Sequence, residues 1–230
     1  MLLVEGPAVA LDALDAGATV REVLYTRVAA ADPAIHRLLD RLRAVGAELE
    51  EVDEAQLAGF ADTVTPQGLL LVVDTPAWSL DDIVVPRIAV LDAVQDPGNV
   101  GTLIRAADAL GAGGVVLLPG TADPWSPKTV RAAAGASFRI PIVEATVPEL
   151  ADWCRARGVP LLAAEADGAP APRAADARDG ALVFGNEGAG VSDAVLAVAD
   201  GVVGIPQRGP ADSLNVAMAG AILMDRLFGG

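Results

Sequence analysis

Three stretches of this chain combine glycine with a strongly hydrogen-bonding side chain, and each follows an apolar run. They are Asp96-Pro-Gly-Asn-Val-Gly-Thr-Leu-Ile-Arg105, Leu182-Val-Phe-Gly-Asn-Glu-Gly-Ala-Gly-Val-Ser192 and Ile205-Pro-Gln-Arg-Gly-Pro-Ala-Asp-Ser-Leu-Asn-Val216. Glycine serves where backbone must approach something closely or take a positive φ. Amides at a helix start face the crevice outside the strand ends, so such turns suit ligands. In the first stretch Asn99 is placed to cap a helix running to about Leu110, and Arg105 sits about one and a half turns inside it. Arg105 is either a fixed cation at the crevice or a solvated arginine paired with Asp108. In the second stretch Glu187 is the single acid among three glycines, a candidate ligand group or an ordinary capping residue. In the third, Ser213 reads as the N-cap of a helix that is apolar almost all round. Asn215, one step inside that helix, needs either buried partners or a ligand.

The spacing of Gly98 and Gly101 is Gly-x-x-Gly, not the Gly-x-Gly-x-x-Gly of dinucleotide sites. Where a ribose-binding acid should follow, the chain has Leu117, Leu118 and Pro119, which argues against a Rossmann oxidoreductase.

The elements that must carry these stretches alternate strand and helix. Residues 1–78 read as a small α/β unit: strands near 2–4, 20–25, 49–52 and 68–73, with helices over 7–16, 33–45 and 54–60. Two prolines, Trp78 and three acids in residues 74–86 mark a change of composition, and residues 79–86 are assigned as a linker. Residues 87–230 alternate regularly, which predicts a mostly parallel sheet with helices on both faces. Strands are expected at 88–92, 115–118, 140–143, 161–164, 181–184 and 202–205. Helices are expected at 99–110, 127–133, 147–157, 191–199 and 213–228, and residues 166–179 as a surface loop only.

Composition narrows the function. Of 230 residues 53% are hydrophobic but only 3% aromatic, so the core is built from Ala, Val, Leu and Ile. No uncharged apolar run is long enough for a membrane span, and the first residues do not read as a signal peptide. A single cysteine, Cys154, forbids an internal disulfide and fits a reducing compartment, the cytoplasm by default. With His36 the sole histidine, no zinc or other soft-metal site can be assembled. The net charge of −15 counts against nonspecific nucleic-acid binding, though not against a local basic patch.

Taken together, Asn99-Val-Gly101 with Arg105, Phe184-Gly-Asn-Glu-Gly188, and Ile205-Pro with Gly209 and Ser213-Leu-Asn-Val216 resemble the three motifs of the SpoU/TrmH branch of SPOUT RNA methyltransferases, in that order. Val4-Glu-Gly6 and Thr65-Pro-Gln-Gly68 are similar to that family's small, ribosomal-protein-like substrate-binding domain. The resemblance covers essentially the whole chain. It implies transfer of a methyl group from S-adenosylmethionine to a ribose 2′-hydroxyl of tRNA or rRNA, by a homodimer whose C-terminal chain forms a deep trefoil knot. It implies a reaction centre of Asn99, Arg105, Glu187, Ser213 and Asn215. Gly185, Gly188, Ile205, Pro206, Gly209 and Leu214 would hold the cofactor, with no metal. RNA contacts are expected from Lys128, Arg131 and Arg208. One departure is Ala217, where the family commonly has a small hydroxyl residue. Two other readings stay open here: a noncatalytic RNA-binding or ribosome-assembly factor with the same fold, and a small-molecule methyltransferase.

Overall fold

The computed structural model describes residues 1–61, 63, 65–170, 179–207 and 214–228. Strands β1 (Leu2–Glu5), β2 (Val20–Thr26), β3 (Glu48–Val52) and β4 (Leu69–Val73) form one sheet in the order β1-β4-β2-β3, parallel only between β2 and β3. Side chains alternate across a strand. Leu69, Leu71 and Val73 therefore join the core under α1 (Pro7–Asp15) and α3 (Pro33–Ala44), while Leu70 turns to Leu57 of α4 (Glu54–Phe60). A single-turn helix, α2 (Arg27–Ala30), is capped by Thr26 and was not expected from the pattern.

The second sheet is entirely parallel. It contains β5 (Arg87–Leu91), β6 (Gly114–Leu117), β7 (Ile142–Glu144), β8 (Leu161–Pro170), β9 (Gly180–Phe184) and β10 (Gly201–Gly204), in the order β10-β8-β9-β5-β6-β7. Such a sheet must be covered on both faces. Ala89, Leu91, Leu182 and Phe184 pack beneath α5 (Pro97–Ala109) and α9 (Val216–Phe228). Ile88, Val90, Ala181 and Val183 meet α7 (Val147–Arg157) and α8 (Asp193–Leu196) on the other face.

Glycines fix how closely α5 is held. A Cβ at Gly101 would lie 2.4 Å from the carbonyl oxygen of Thr129 on α6 (Pro127–Ala133), and one at Gly220 would lie 2.3 Å from Leu103 Cδ2. Gly101 thus serves helix packing, and α5 is gripped between α6 and α9.

The two sheets share an interface. Val130 and Phe138 enter the core of the first unit, a Cβ at Gly135 would collide with Asp12, and Arg139 bridges Asp12 (3.2 Å) and Asp108 (2.8 Å). The 79–86 segment is fastened: Trp78 packs on Trp125 at a 6.1 Å centroid separation, and Trp153 Nε1 donates to the Leu80 carbonyl at 2.9 Å.

Some element limits differ from expectation. The strand at 161 extends to Pro170 because it follows β10 through a register shift, pairing Ala169 with Val203, so residues 166–170 are not loop. The helix expected over 191–199 is only Asp193–Leu196, capped by Ser192. Among the described residues no helix is long and apolar enough to cross a membrane, and no His, Cys, Asp and Glu group is arranged to hold a metal.

Candidate active site

The three loops singled out by sequence meet at the C-terminal ends of β5, β9 and β10. At the first, Asp96 rather than Asn99 caps α5. Its Oδ1 accepts the Asn99 N–H at 3.0 Å, and Pro97 follows in the first turn, where its missing N–H costs nothing. The Asn99 side chain is thereby released for other work.

The helix expected from Ser213 begins instead at Val216. Asn215 is its cap, its Oδ1 accepting the N–H groups of Ala217 (2.9 Å) and Met218 (3.2 Å). These bonds dictate the direction of everything beyond them. With its oxygen committed, Asn215 can only donate outward, and its Nδ2 does so to Asn99 Oδ1 at 3.0 Å. Asn99 must then donate in turn, and its Nδ2 reaches Glu187 Oε1 at 2.9 Å. A one-way relay of donors therefore runs from the start of α9, through two carboxamides, to a carboxylate.

Glu187 also accepts the N–H groups of Gln95 and Asp96, each at 3.1 Å. Partial burial works to raise its pKa, but the Asn99 amide and these backbone donors outweigh it and hold the carboxyl below the ordinary glutamate value. Asp96 is also held below the usual carboxylate range, first by Lys128, whose Nζ lies 3.0 Å from Oδ2, and then by the Asn99 N–H.

Beside this relay opens a cavity of about 500 Å³, lined by residues 185–190, by Ile205 and Leu214, and by the apolar residues Phe184 and Leu223. Gly185 is required by close approach, since a Cβ there would fall 2.2 Å from the carbonyl carbon of Gly190. None of the described residues lining the cavity is Lys, Arg or His, whereas Glu165 and Glu187 both line it.

Of the residues expected at the reaction centre, Asn99, Glu187 and Asn215 are brought together, and Ser213 lies outside the described residues. Arg105 stands apart, exposed on α5 with no hydrogen bond to the relay; Asp108, its expected partner, pairs with Arg139. Of the expected cofactor residues, Gly185, Gly188, Ile205 and Leu214 line the cavity, Pro206 is exposed and does not, and Gly209 is outside the described residues. Lys128 reaches the first loop through Asp96, while half-buried Arg131 borders a crevice with Leu3, Glu5 and Val9 at the junction of the two units. Arg208 is outside the described residues.

Three residues missed by sequence reasoning hold the glycine loop. Asn186 Nδ2 donates to the Ala93 carbonyl at 2.9 Å, and its Oδ1 accepts from Gly188 (2.9 Å) and Ala189 (3.0 Å). Ala93 itself is left-handed, with φ 56°. Asp92, only 5% exposed, accepts the Ser192 N–H at 2.7 Å, and Glu165 accepts the Val191 N–H at 2.9 Å. Asn186 lies inside a quoted motif; Asp92 and Glu165 act on amides 100 and 26 residues away and carry no local signal.

Residues 86–225 match the SpoU rRNA Methylase family, and residues 3–78 match the RNA 2′-O ribose methyltransferase substrate binding domain. The chain is 38% identical over 228 residues to the 23S rRNA (guanosine(2553)-2′-O)-methyltransferase RlmP of Bacillus subtilis, spanning 99% of this chain and 88% of that one. Its fold matches the SpoU methyltransferase AviRb from Streptomyces viridochromogenes in complex with AdoMet, with a TM-score of 0.87, 31% identity and coverage of 99% and 89% of the two chains. An AdoMet-bound rRNA methyltransferase from Sinorhizobium meliloti gives a TM-score of 0.86 at 34% identity, covering 98% and 86%. The relay and cavity are thus features of a chain that belongs to the SpoU rRNA methylase family.

Proposed function

We propose that this protein transfers a methyl group from S-adenosylmethionine to a ribose 2′-hydroxyl of ribosomal RNA. The observation that carries the reading is the donor relay from Asn215 through Asn99 to Glu187 at the mouth of the glycine-lined cavity. The cavity fits the cofactor: about 500 Å³ lies within the range of about 300–1,000 Å³ usual for such sites, and its two carboxylates suit a cationic ligand. Gly185, Gly188, Ile205 and Leu214 would hold it. When bound, it supplies an already activated methyl on a sulfonium. The protein's task is then to position the ribose and ease the loss of its hydroxyl proton.

Asn99 and Asn215, fixed at both ends of their carboxamides, orient the target ribose. An arginine guanidinium is in general a poor base, so Arg105 is assigned another part in the reaction. It acts by stabilising the developing alkoxide or pinning the neighbouring phosphate. Arg105 lies six residues beyond Asn99, about 240° around the helix, so it leaves α5 on a different side from its own relay. That geometry supports delivery of Arg105 to the site of a partner subunit. Lys128, Arg131 and Arg208 contribute RNA phosphate contacts, Lys128 by exchanging Asp96 for a phosphate. The likeness to a bacterial 23S rRNA methyltransferase supports the cytoplasm as its location.

The partner subunit is a second copy of this chain. Met218 (58% exposed) and Ile222 (36% exposed) form an apolar strip on α9, which packs against α5. Return of the C-terminal chain to α5 after the crossed strand order β10-β8-β9-β5 suits the knotted topology of the family. The double variant Met218→Asp, Ile222→Asp is expected to sediment as a monomer and to lose turnover; a dimer of normal stability would reject this interface.

The function is tested by mapping 2′-O-methyl groups in rRNA from cells with and without the gene, together with calorimetry using S-adenosylmethionine. One ribose methylation should vanish with the gene and return with the wild-type copy. An unchanged rRNA map rejects the substrate, and no heat of binding favours a noncatalytic RNA-binding factor.

A further inference from the structure

The dinucleotide reading of the sequence lacked an acid for a ribose, and the fold supplies one from a different strand. Glu165 on β8 lines the cofactor cavity. Its Oε1 is engaged by the Val191 N–H at 2.9 Å, which fixes the carboxylate, while Oε2 has no hydrogen-bond partner among the described residues. We infer that Glu165 is a cofactor-positioning residue whose carboxylate accepts hydrogen bonds from the vicinal ribose hydroxyls of the methyl donor. This rests on the S-adenosylmethionine reading above.

Position and charge select the diol among the donors that ligand offers. Ala164 pairs with Phe184 on β9, and Phe184 pairs with Leu91 on β5, so Glu165 stands two strand spacings, about 10 Å, from the strand leading to Asn99. The reacting methyl must face the relay, which leaves the far end of the cavity to the nucleoside. The competing donor is the α-ammonium, which carries a carboxylate on the same carbon. Seating it at Glu165 would bring two carboxylates together, and no Lys, Arg or His among the described lining residues offsets them. A diol presents two donors and no charge. Gly190, with φ 72°, lies directly against the Glu165 oxygens, where a Cβ would be only 3.1 Å from Oε1, so the acid is held without a side chain crowding it.

Calorimetric titrations of the wild type, Glu165→Gln and Glu165→Ala with S-adenosylmethionine, S-adenosylhomocysteine and 5′-methylthioadenosine test this. The last ligand keeps the diol and lacks the amino acid. Both variants are expected to lose affinity for all three ligands, by about 10- to 100-fold for Glu165→Ala and less for Glu165→Gln. The 2′,3′-dideoxy analogue of 5′-methylthioadenosine should bind wild type and Glu165→Ala alike. Losses confined to the two ligands bearing an ammonium overturn the proposal in favour of that group. An equal loss for the dideoxy analogue overturns it in favour of a purely structural role through Val191. Unchanged affinities overturn it outright. Failure of the wild type to bind any of the three removes the methyl-donor reading itself, and Glu165 falls with it.

Discussion

Arg105→Lys is expected to turn over at least about 100-fold more slowly than the wild type, with affinity for S-adenosylmethionine within about twofold. A lysine keeps the charge but loses the rigid planar fork that addresses an alkoxide and a phosphate together. Cofactor affinity is spared because Arg105 does not line the cavity. Single-turnover methylation with saturating cofactor reads the first effect and calorimetry the second. Its exposed position on α5 makes a sharper version available. Co-expressing Arg105→Ala with Glu187→Ala yields mixed dimers in which one site draws a whole Arg105 from one chain and a whole Glu187 from the other. If Arg105 works across the interface, about a quarter of wild-type activity returns from two dead proteins, since about half of the dimers are mixed and each has one good site. If it works within its own chain, nothing returns. Full activity of Arg105→Lys would remove Arg105 from the chemistry altogether.

The second large effect belongs to Glu187. Glu187→Ala strips the acceptor from the Gln95 and Asp96 N–H groups and from Asn99 Nδ2 together. Asn99 then keeps only its bond from Asn215 and is free to swing; displacement of a positioning group by about 1 Å costs on the order of 100-fold. Loss of about that size is expected in the rate constant at saturating cofactor, with a smaller loss for Glu187→Gln, which can still accept from two of the three donors. The pH behaviour has a definite sign. Because the native carboxyl titrates below its unfolded value, its contribution to stability is present at neutral pH, above the unfolded glutamate pKa. It disappears as pH falls through the lowered native value. The wild-type melting temperature should therefore decline in that acid range more steeply than that of Glu187→Ala. Parallel acid profiles, or a wild-type rate constant in Glu187→Ala, would show that the relay does not depend on this carboxylate.

Much of this was legible because two levels of the sequence agree. The unbroken apolar runs Ile88 to Leu91 and Ala181 to Phe184, set in a regular strand–helix alternation, announce a doubly covered sheet, and the glycines after each strand mark the crevice. Errors arose where two neighbouring residues could do the same local job. Asp96 and Asn99 are both good caps, as are Ser213 and Asn215. In the first pair Pro97 settles the helix start, freeing Asn99. In the second, Asn215 is both cap and relay, and the relay depends on a partner 116 residues away. The extension of β8 was hidden because Ala166-Asp-Gly-Ala-Pro170 has poor strand propensity. Gly168 lies so close to Val203 that a Cβ would come within 2.4 Å of its carbonyl carbon, a packing reason no composition rule contains.

The double duty of Asn215 ties local unfolding to the integrity of the relay. Its oxygen closes the first turn of α9 and its nitrogen holds Asn99, so fraying of that turn and loss of the Asn215–Asn99–Glu187 relay are one opening event. Deuterium uptake at the Ala217 and Met218 amides therefore measures how often the relay comes apart. A ligand that slows it does so by raising the fraction of molecules whose relay is already assembled.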